Sequence, residues 1–248
     1  MSVVDRMALE SAAQASKPLI YEATIQRIVE IAPATRSFFL RLAEHSRFAF
    51  TPGQFISCML PVAGQTMIRP YSIASNPEEA GVLEICLNLV PGGPGSGYLF
   101  GLGVGARVRF TGPWGTFTLA QPPDAECVFI ADGTGIAPIR PMLRRALASG
   151  SPPGGALRAL RLHYAASSTQ HLLYAAEFET AARAHSHFTF TPLVGGSLLE
   201  AVERCYVAAD EDRTRHFYIC GVGDIVPQLR DLLRRAEYER RAVHYEKW

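Results

Sequence analysis

Four short constellations in this chain bring together residue types that could do chemistry. Arg69-Pro70-Tyr71-Ser72 offers a fixed fork of donors, a flat ring and a hydroxyl in one run. The fork suits a phosphate, the ring suits stacking on a fused heterocycle, and the hydroxyl can reach a ring nitrogen that must gain or lose a proton. A surface turn with a packed tyrosine is the alternative for these four residues alone. Pro91-Gly92-Gly93-Pro94-Gly95-Ser96-Gly97 is a glycine-rich turn ahead of a short helical pattern. Its glycines let backbone approach an anion, and a helix start presents unpaired N–H groups to it. Ser96 suits an N-cap or a phosphate ligand; a flexible loop is the bland alternative.

The third constellation, Gly133-Thr134-Gly135-Ile136-Ala137-Pro138, follows the apolar run CVFIA and opens a helical pattern. It is not G-x-G-x-x-G, yet it uses the same physics: a tight strand-to-helix turn with a pyrophosphate on the helix end. Asp132 just before it would repel a phosphate. The fourth, Cys220-Gly221-Val222-Gly223, follows the strand-like HFYI. Ligands bind at the carboxyl ends of parallel strands, and a buried cysteine before a glycine turn is the other reading.

The elements that must position these residues fall into two grammars. Residues 1–18 are small and polar and read as a flexible extension. From Leu19, the runs LIYEATIQRIVEI, RSFFLRL, QFISCML, GVLEICLNLV, ARVRF and GTFTL are short, apolar or alternating. Turn signals such as Thr51-Pro52-Gly53, Asn76-Pro77 and Gly112-Pro113 separate them, which predicts an antiparallel β-barrel or sandwich over 19–121. Gln121-Pro122-Pro123-Asp124 reads as a linker. Beyond it strands alternate with helices (CVFIA, PIRPMLRRALA, LRALRLHYAA, QHLLYAAEFETAARA, HFTFTPLV, SLLEAVERC, HFYIC, DIVPQLRDLLRRAEYE, AVHYE). That alternation predicts a doubly wound α/β domain with a parallel sheet over 122–248.

Composition narrows the function classes. With 24 Lys and Arg against 23 Asp and Glu, and no basic block, nucleic-acid binding is not expected. The pairs Arg144-Arg145, Arg234-Arg235 and Arg240-Arg241 read as solvated helix faces. The five cysteines lack C-x-x-C spacing, so no metal or iron–sulfur site is expected. They suit a reducing, cytoplasmic compartment. No secretory leader pattern and no apolar run of membrane-spanning length is present.

Taken in order, Arg-x-Tyr-Ser, Gly-x-Gly-Ser, Gly-Pro-x-Gly-x-Phe, Gly-Thr-Gly-Ile-Ala-Pro and Cys-Gly resemble the motif series of the ferredoxin–NADP⁺ reductase superfamily. The resemblance covers Leu19 to Trp248. It implies a flavin-binding barrel, an NAD(P)-binding domain, and transfer of hydride from NAD(P)H to the flavin. Carried over by position, Arg69 binds a flavin phosphate, Tyr71 with Pro70 stacks on the isoalloxazine, and Ser72 lies near flavin N5. Asn88, Gly95, Ser96 and Gly97 belong to the flavin site, the last three cradling the pyrophosphate. Gly112-Pro113-Trp114-Gly115 forms the floor where the domains meet, with Trp114 at the cofactor. Gly133, Thr134, Gly135 and Gly221 hold the nicotinamide nucleotide, with Cys220 near its reactive carbon. The chain ends Glu246-Lys247-Trp248, similar to the glutamate–x–aromatic ending of plant-type members, so Trp248 is expected to shield the flavin face. Ser72, Cys220 and Glu246 are the expected catalytic residues.

Departures from the family refine these expectations. The stretch that grips a 2′-phosphate in NADP-using members reads Val194-Gly195-Gly196-Ser197, without arginine, which favours NADH. The Gly-x-Gly-Ser turn suits a pyrophosphate, which favours FAD over FMN. No iron–sulfur domain accompanies the motifs, so the one-electron acceptor, a ferredoxin or oxygenase component, is expected to be a separate protein. A free-flavin or diffusible-acceptor reductase, and a non-catalytic subunit retaining the fold, are the alternatives. Basic side chains on the barrel face near Trp248 would favour a protein acceptor.

Overall fold

The computed structural model describes residues 18–42, 48–79, 81–119, 123–149, 157–209 and 211–248. The expected extension, save Pro18, lies outside the described residues, as do Gln121 and Pro122 of the expected linker.

Six strands build the first unit: β1 (Ile20–Ala32), β2 (Thr35–Leu42), β3 (Phe55–Val62), β4 (Gln65–Ser72), β5 (Val82–Asn88) and β6 (Arg107–Trp114). Every pairing is antiparallel, in the order β4-β3-β6-β1-β2-β5. A bridge between Ile73 and Ile85 joins the two edges and closes the barrel. Period-2 alternation drives the closure. In β3, Ile56, Cys58 and Leu60 point inward to meet Ile25, Phe38, Leu40, Ile85 and Phe110. A fully buried Phe38 or Leu40 contributes on the order of 1.5–3 kcal/mol. The helix α1 (Pro94–Phe100) follows β5 and starts with proline in its first turn.

QTMIRPYS forms β4, the strand that ends on Arg69-Pro70-Tyr71-Ser72. Its hairpin turns on Ala63 and Gly64, both at positive φ, without the Asn-Gly signature. As an end strand of the ladder, β4 accommodates Pro70. GTFTL forms no strand: Phe117 and Leu119 are buried in the core of the second unit, against Phe129 and Met142.

The second unit is a parallel sheet of β7 (Cys127–Asp132), β8 (Leu160–Ala166), β9 (Phe188–Val194), β10 (His216–Gly221) and β11 (Val243–Lys247), ordered β11-β10-β7-β8-β9. The helices are α2 (Ile136–Ala148), α3 (Ala175–Ala184), α4 (Leu198–Val202) and α5 (Ile225–Arg235). Successive β7 residues supply both faces. Phe129 and Ala131 pack with α2 and Phe178 of α3, while Val128 and Ile130 pack with Leu198, Val202, Leu229 and Leu233. Helices on both faces of a parallel sheet give the doubly wound fold. Strand order reverses at β7, and the crevice beyond the strand ends there is where such sheets take ligands.

Candidate active site

Where the barrel meets the reversal point of the parallel sheet lies a cleft of about 390 Å³. Arg69, Pro70, Tyr71 and Ser72 line one wall from the end of β4; Asn88, Val90, Gly93, Pro94, Gly95 and Ser96 line the next, from the end of β5 into α1. The second domain contributes Thr134, Ala137, Val222 and Trp248. Nine residues singled out from the sequence thus share one cleft: Arg69, Pro70, Tyr71, Ser72, Asn88, Gly95, Ser96, Thr134 and Trp248.

Local structure explains each placement. Arg69 is exposed at the end of the ladder and lies across Gly95, where an added Cβ would stand 3.0 Å from Arg69 Cγ. The guanidinium therefore depends on a bare α-carbon opposite it. Tyr71 is half-buried, and burial, helped by Cys58, pushes its phenol up to about 12, so its ring stays neutral. Ser72 pairs with Phe55 and is buried. The Ser96 hydroxyl accepts the Val90 N–H at 3.0 Å and lies 3.2 Å from the Gly93 carbonyl, so it closes the glycine turn.

On the second domain, Gly133 to Gly135 forms a single tight turn between β7 and α2. An added Cβ at Gly135 would stand 2.1 Å from the Cys220 carbonyl oxygen, a contact only glycine permits. The Tyr164 hydroxyl donates to the Gly133 carbonyl at 3.0 Å and fixes the turn from beneath. Burial raises the carboxyl of Asp132 above its usual range. Trp248 is anchored by its backbone: its N–H donates to Gly221 at 3.1 Å, and its carbonyl accepts from Gly223 at 3.4 Å. Its ring meets Phe55 edge-on at 5.5 Å.

Several expected residues stand outside the cleft wall. Trp114 lies on the outer barrel face in an apolar groove with Ile20, Met59 and Ile68, and its indole N–H donates to Thr111 at 3.1 Å. Its position at the end of β6 turns it outward, while Gly115 of the same segment does meet the second domain beside Glu246. The Gly97 N–H is held by the Gly93 carbonyl at 2.9 Å. Gly133, Gly135 and Gly221 shape the turns behind the wall; an added Cβ at Gly221 would stand 3.0 Å from Asp132 Cβ. Cys220 is 1% exposed, paired in register with Glu246 across β10 and β11. Burial, then Glu246, holds its thiol well above the usual range. Burial pushes the Glu246 carboxyl up to about 7, and its Oε2 is buried with no partner within the protein. Ala137 and Val222 line the cleft from within their motifs, while Cys86, Leu87 and Val90 line it without having been singled out.

The residues present fit a flavin dinucleotide. A guanidinium faces a bare α-carbon, a neutral aromatic ring lies beside it, a glycine turn follows, and a partnerless buried carboxyl oxygen stands close behind. Among the described residues, no helix is long and apolar enough to cross a membrane.

Comparison with known proteins agrees with this geometry. Residues 22–119 match the family model for the oxidoreductase FAD-binding domain, and residues 129–231 match that for the oxidoreductase NAD-binding domain. Ferredoxin–NADP reductase B of Sorangium cellulosum is 31% identical over 242 residues, covering 92% of this chain and 97% of that one. The reductase subunit of the aromatic O-demethylase of an Amycolatopsis species is 33% identical, covering 91% of this chain and 68% of its own length. The crystal structure of the Amycolatopsis cytochrome P450 reductase GcoB matches with a TM-score of 0.80 at 32% identity, over 92% of this chain and 69% of that one. The ferredoxin NADP⁺ reductase of Neisseria gonorrhoeae, solved with bound FAD and NADP, shares the fold at a TM-score of 0.76 and 19% identity, over 93% and 99% of the two chains.

Proposed function

Because this chain belongs to the ferredoxin–NADP⁺ reductase superfamily as an NAD(P)H-dependent flavoprotein reductase, we propose that it oxidises NADH through FAD held in the cleft and serves a separate ferredoxin or oxygenase component. The observation that carries this reading is the convergence of the Arg69–Ser72 run, the glycine turn, Thr134 and Trp248 from two domains on one cleft. FAD, when bound, supplies the redox chemistry between hydride donor and electron acceptor.

The chain's own residues bind and orient. Arg69 and the turn at Gly95 and Ser96 hold the phosphates, and the Tyr71 ring takes the heterocycle face. Trp248 covers the opposite face until nicotinamide displaces it, and Thr134 receives the nucleotide at the head of α2. Orientation at near-contact distance does most of the work in such a transfer. Ser72 and Glu246 hold the proton at the ring nitrogen. A carboxyl that titrates near neutrality can take or give that proton at working pH.

The NADH preference rests on the end of β9. Val194, Gly195 and Gly196 bring no cation, and the Ser197 hydroxyl is occupied capping α4, accepting the Glu200 N–H at 3.2 Å. Glu200, in that first turn, adds negative charge that disfavours a 2′-phosphate. A second reading, a diffusible acceptor, draws on the barrel face beside Phe55. That groove, lined by Pro18, Ile20, Met59, Ile68 and Trp114, is apolar rather than basic.

An anaerobic titration of the purified protein, following flavin absorbance with NADH and then NADPH, tests the reading. Bleaching at a lower concentration of NADH than of NADPH is the expected result. Absence of flavin, or flavin that neither nucleotide bleaches, overturns it.

A further inference from the structure

Glu84 lies in β5 with its side chain only 4% exposed, and both halves of the chain converge on its carboxylate. The Ser37 hydroxyl of β2 donates to it at 2.6 Å, the Tyr174 hydroxyl at 2.8 Å, and Arg140 Nη1 of α2 at 2.7 Å. Arg140, 9% exposed, also donates to the Ala74 carbonyl at 3.2 Å and, through Nε, to Glu177 of α3 at 2.9 Å. Its guanidinium stacks 3.9 Å over the Tyr174 ring. Ser75 accepts the Glu84 N–H at 3.0 Å. Arg144 braces the outside by bonding Glu177 and, at 2.9 Å, Glu79. Its sequence reading as a solvated helix face is thereby corrected.

Such a network is a poor device for stability, because desolvating the charges offsets most of their attraction and an apolar pair of similar volume would do as well. What a planar, bidentate cation adds is a fixed direction. The direction matters because of where the network is attached. Ala74 comes two residues after Ser72, and Arg140 three residues after Ala137. Ser72 and Ala137 line opposite walls of the cleft. The network therefore clamps the two walls through very short lengths of chain, and Ser37 and Tyr174 also reach Cys86, which lines the cleft.

We propose that Glu84, Arg140 and Tyr174 form a positioning network that fixes the angle between the two domains, and with it the distance over which hydride passes. This rests on the reductase reading above. Misplacement by about 1 Å costs such a reaction up to about 10²-fold. Nucleotide affinity, which depends on each wall separately, is nearly untouched.

The test compares wild-type holoenzyme with Glu84→Gln, Arg140→Lys and Tyr174→Phe. Three quantities are read: the anaerobic rate of flavin bleaching against NADH concentration, the long-wavelength absorbance that forms when nicotinamide stacks on flavin, and the small-angle scattering profile. Tyr174→Phe keeps every charge and the ring beneath Arg140, so it reports even if a charge variant folds poorly. The expected result is a limiting rate lowered about tenfold or more, half-saturation within twofold, weaker stacking absorbance and a broadened scattering distance distribution. Unchanged limiting rate and absorbance in both Tyr174→Phe and Glu84→Gln overturn the proposal. Wild-type flavin that neither nucleotide bleaches overturns the reductase reading instead. The scattering then still decides the network, since profiles identical across all four proteins overturn it.

Discussion

Along the cleft, the barrel and the parallel sheet face each other through glycine, proline and half-exposed side chains. A few residues deeper they meet through Ser37, Glu84, Arg140 and Tyr174, whose polar groups are tied to one another. In the first region hydrogen-bonding capacity is kept in reserve: Arg69 is exposed, with only Nη1 committed, to the Ile68 carbonyl at 2.9 Å. In the second it is spent on fixing geometry. A ligand-binding wall and a domain seam can thus be told apart by whether their polar groups are satisfied internally.

The comparison can be broken at the seam first. Removing one partner of a buried ion pair strands the other, so Arg140→Met should cost about 3–5 kcal/mol in denaturant unfolding. Combining it with Glu84→Gln should cost less than the two single changes added together, because the stranded charge is gone. Additive costs would mean that the two groups do not act as a pair. Next in size is Gly135→Ala, which drives a Cβ into the Cys220 carbonyl at 2.1 Å. Two backbones must separate there, so a loss of about 3 kcal/mol is expected, again by denaturant unfolding. Stability at wild-type level would show that β10 and the β7–α2 turn can part cheaply.

Gly95→Ala sharpens the contrast from the cleft side. Its Cβ would meet only the flexible stem of Arg69, so unfolding free energy should move by less than about 1 kcal/mol. Flavin affinity, measured by fluorescence on release, should fall about tenfold, a loss of about 1.4 kcal/mol. A further effect, seen only as pH changes, concerns Glu246. Its folded value, pushed by burial from 4.5 to about 7, lies above its unfolded one. The folded state therefore binds more protons between these values, and stability falls as pH rises through that window. Glu246→Gln should remove that fall, so the two proteins' unfolding curves diverge between about pH 4.5 and 7 and run parallel above it. Parallel curves throughout would place the carboxylate in water.

The same contrast explains what could be read from the sequence. The cleft motifs are local: Arg69 to Ser72, Gly93 to Gly97 and Gly133 to Pro138 each carry their chemistry in adjacent residues. Doubly wound topology was legible for the same reason, from strands and helices alternating along the chain. The seam joins positions 37, 84, 140 and 174, which stand 34 to 56 positions apart along the chain, and no local pattern announces it. A lone glutamate within LEICLNLV was its only trace. GTFTL was misread as a strand because burial of Phe117 and Leu119 in the neighbouring domain's core imitates strand periodicity. Trp114 was placed at the cofactor by motif position alone, and its strand end turns it outward.

The buried carboxylate of Glu84 bears on how freely the two halves of such a protein can be recombined. Transplanted onto another nucleotide domain, this barrel would carry an anion in its wall with no counter-ion. Conversely, the parallel sheet grafted onto another barrel would present Arg140 to an apolar surface. Modularity here has a grammar: a chimera must inherit Ser37, Glu84, Arg140 and Tyr174 as a set, although they lie on both sides of the join.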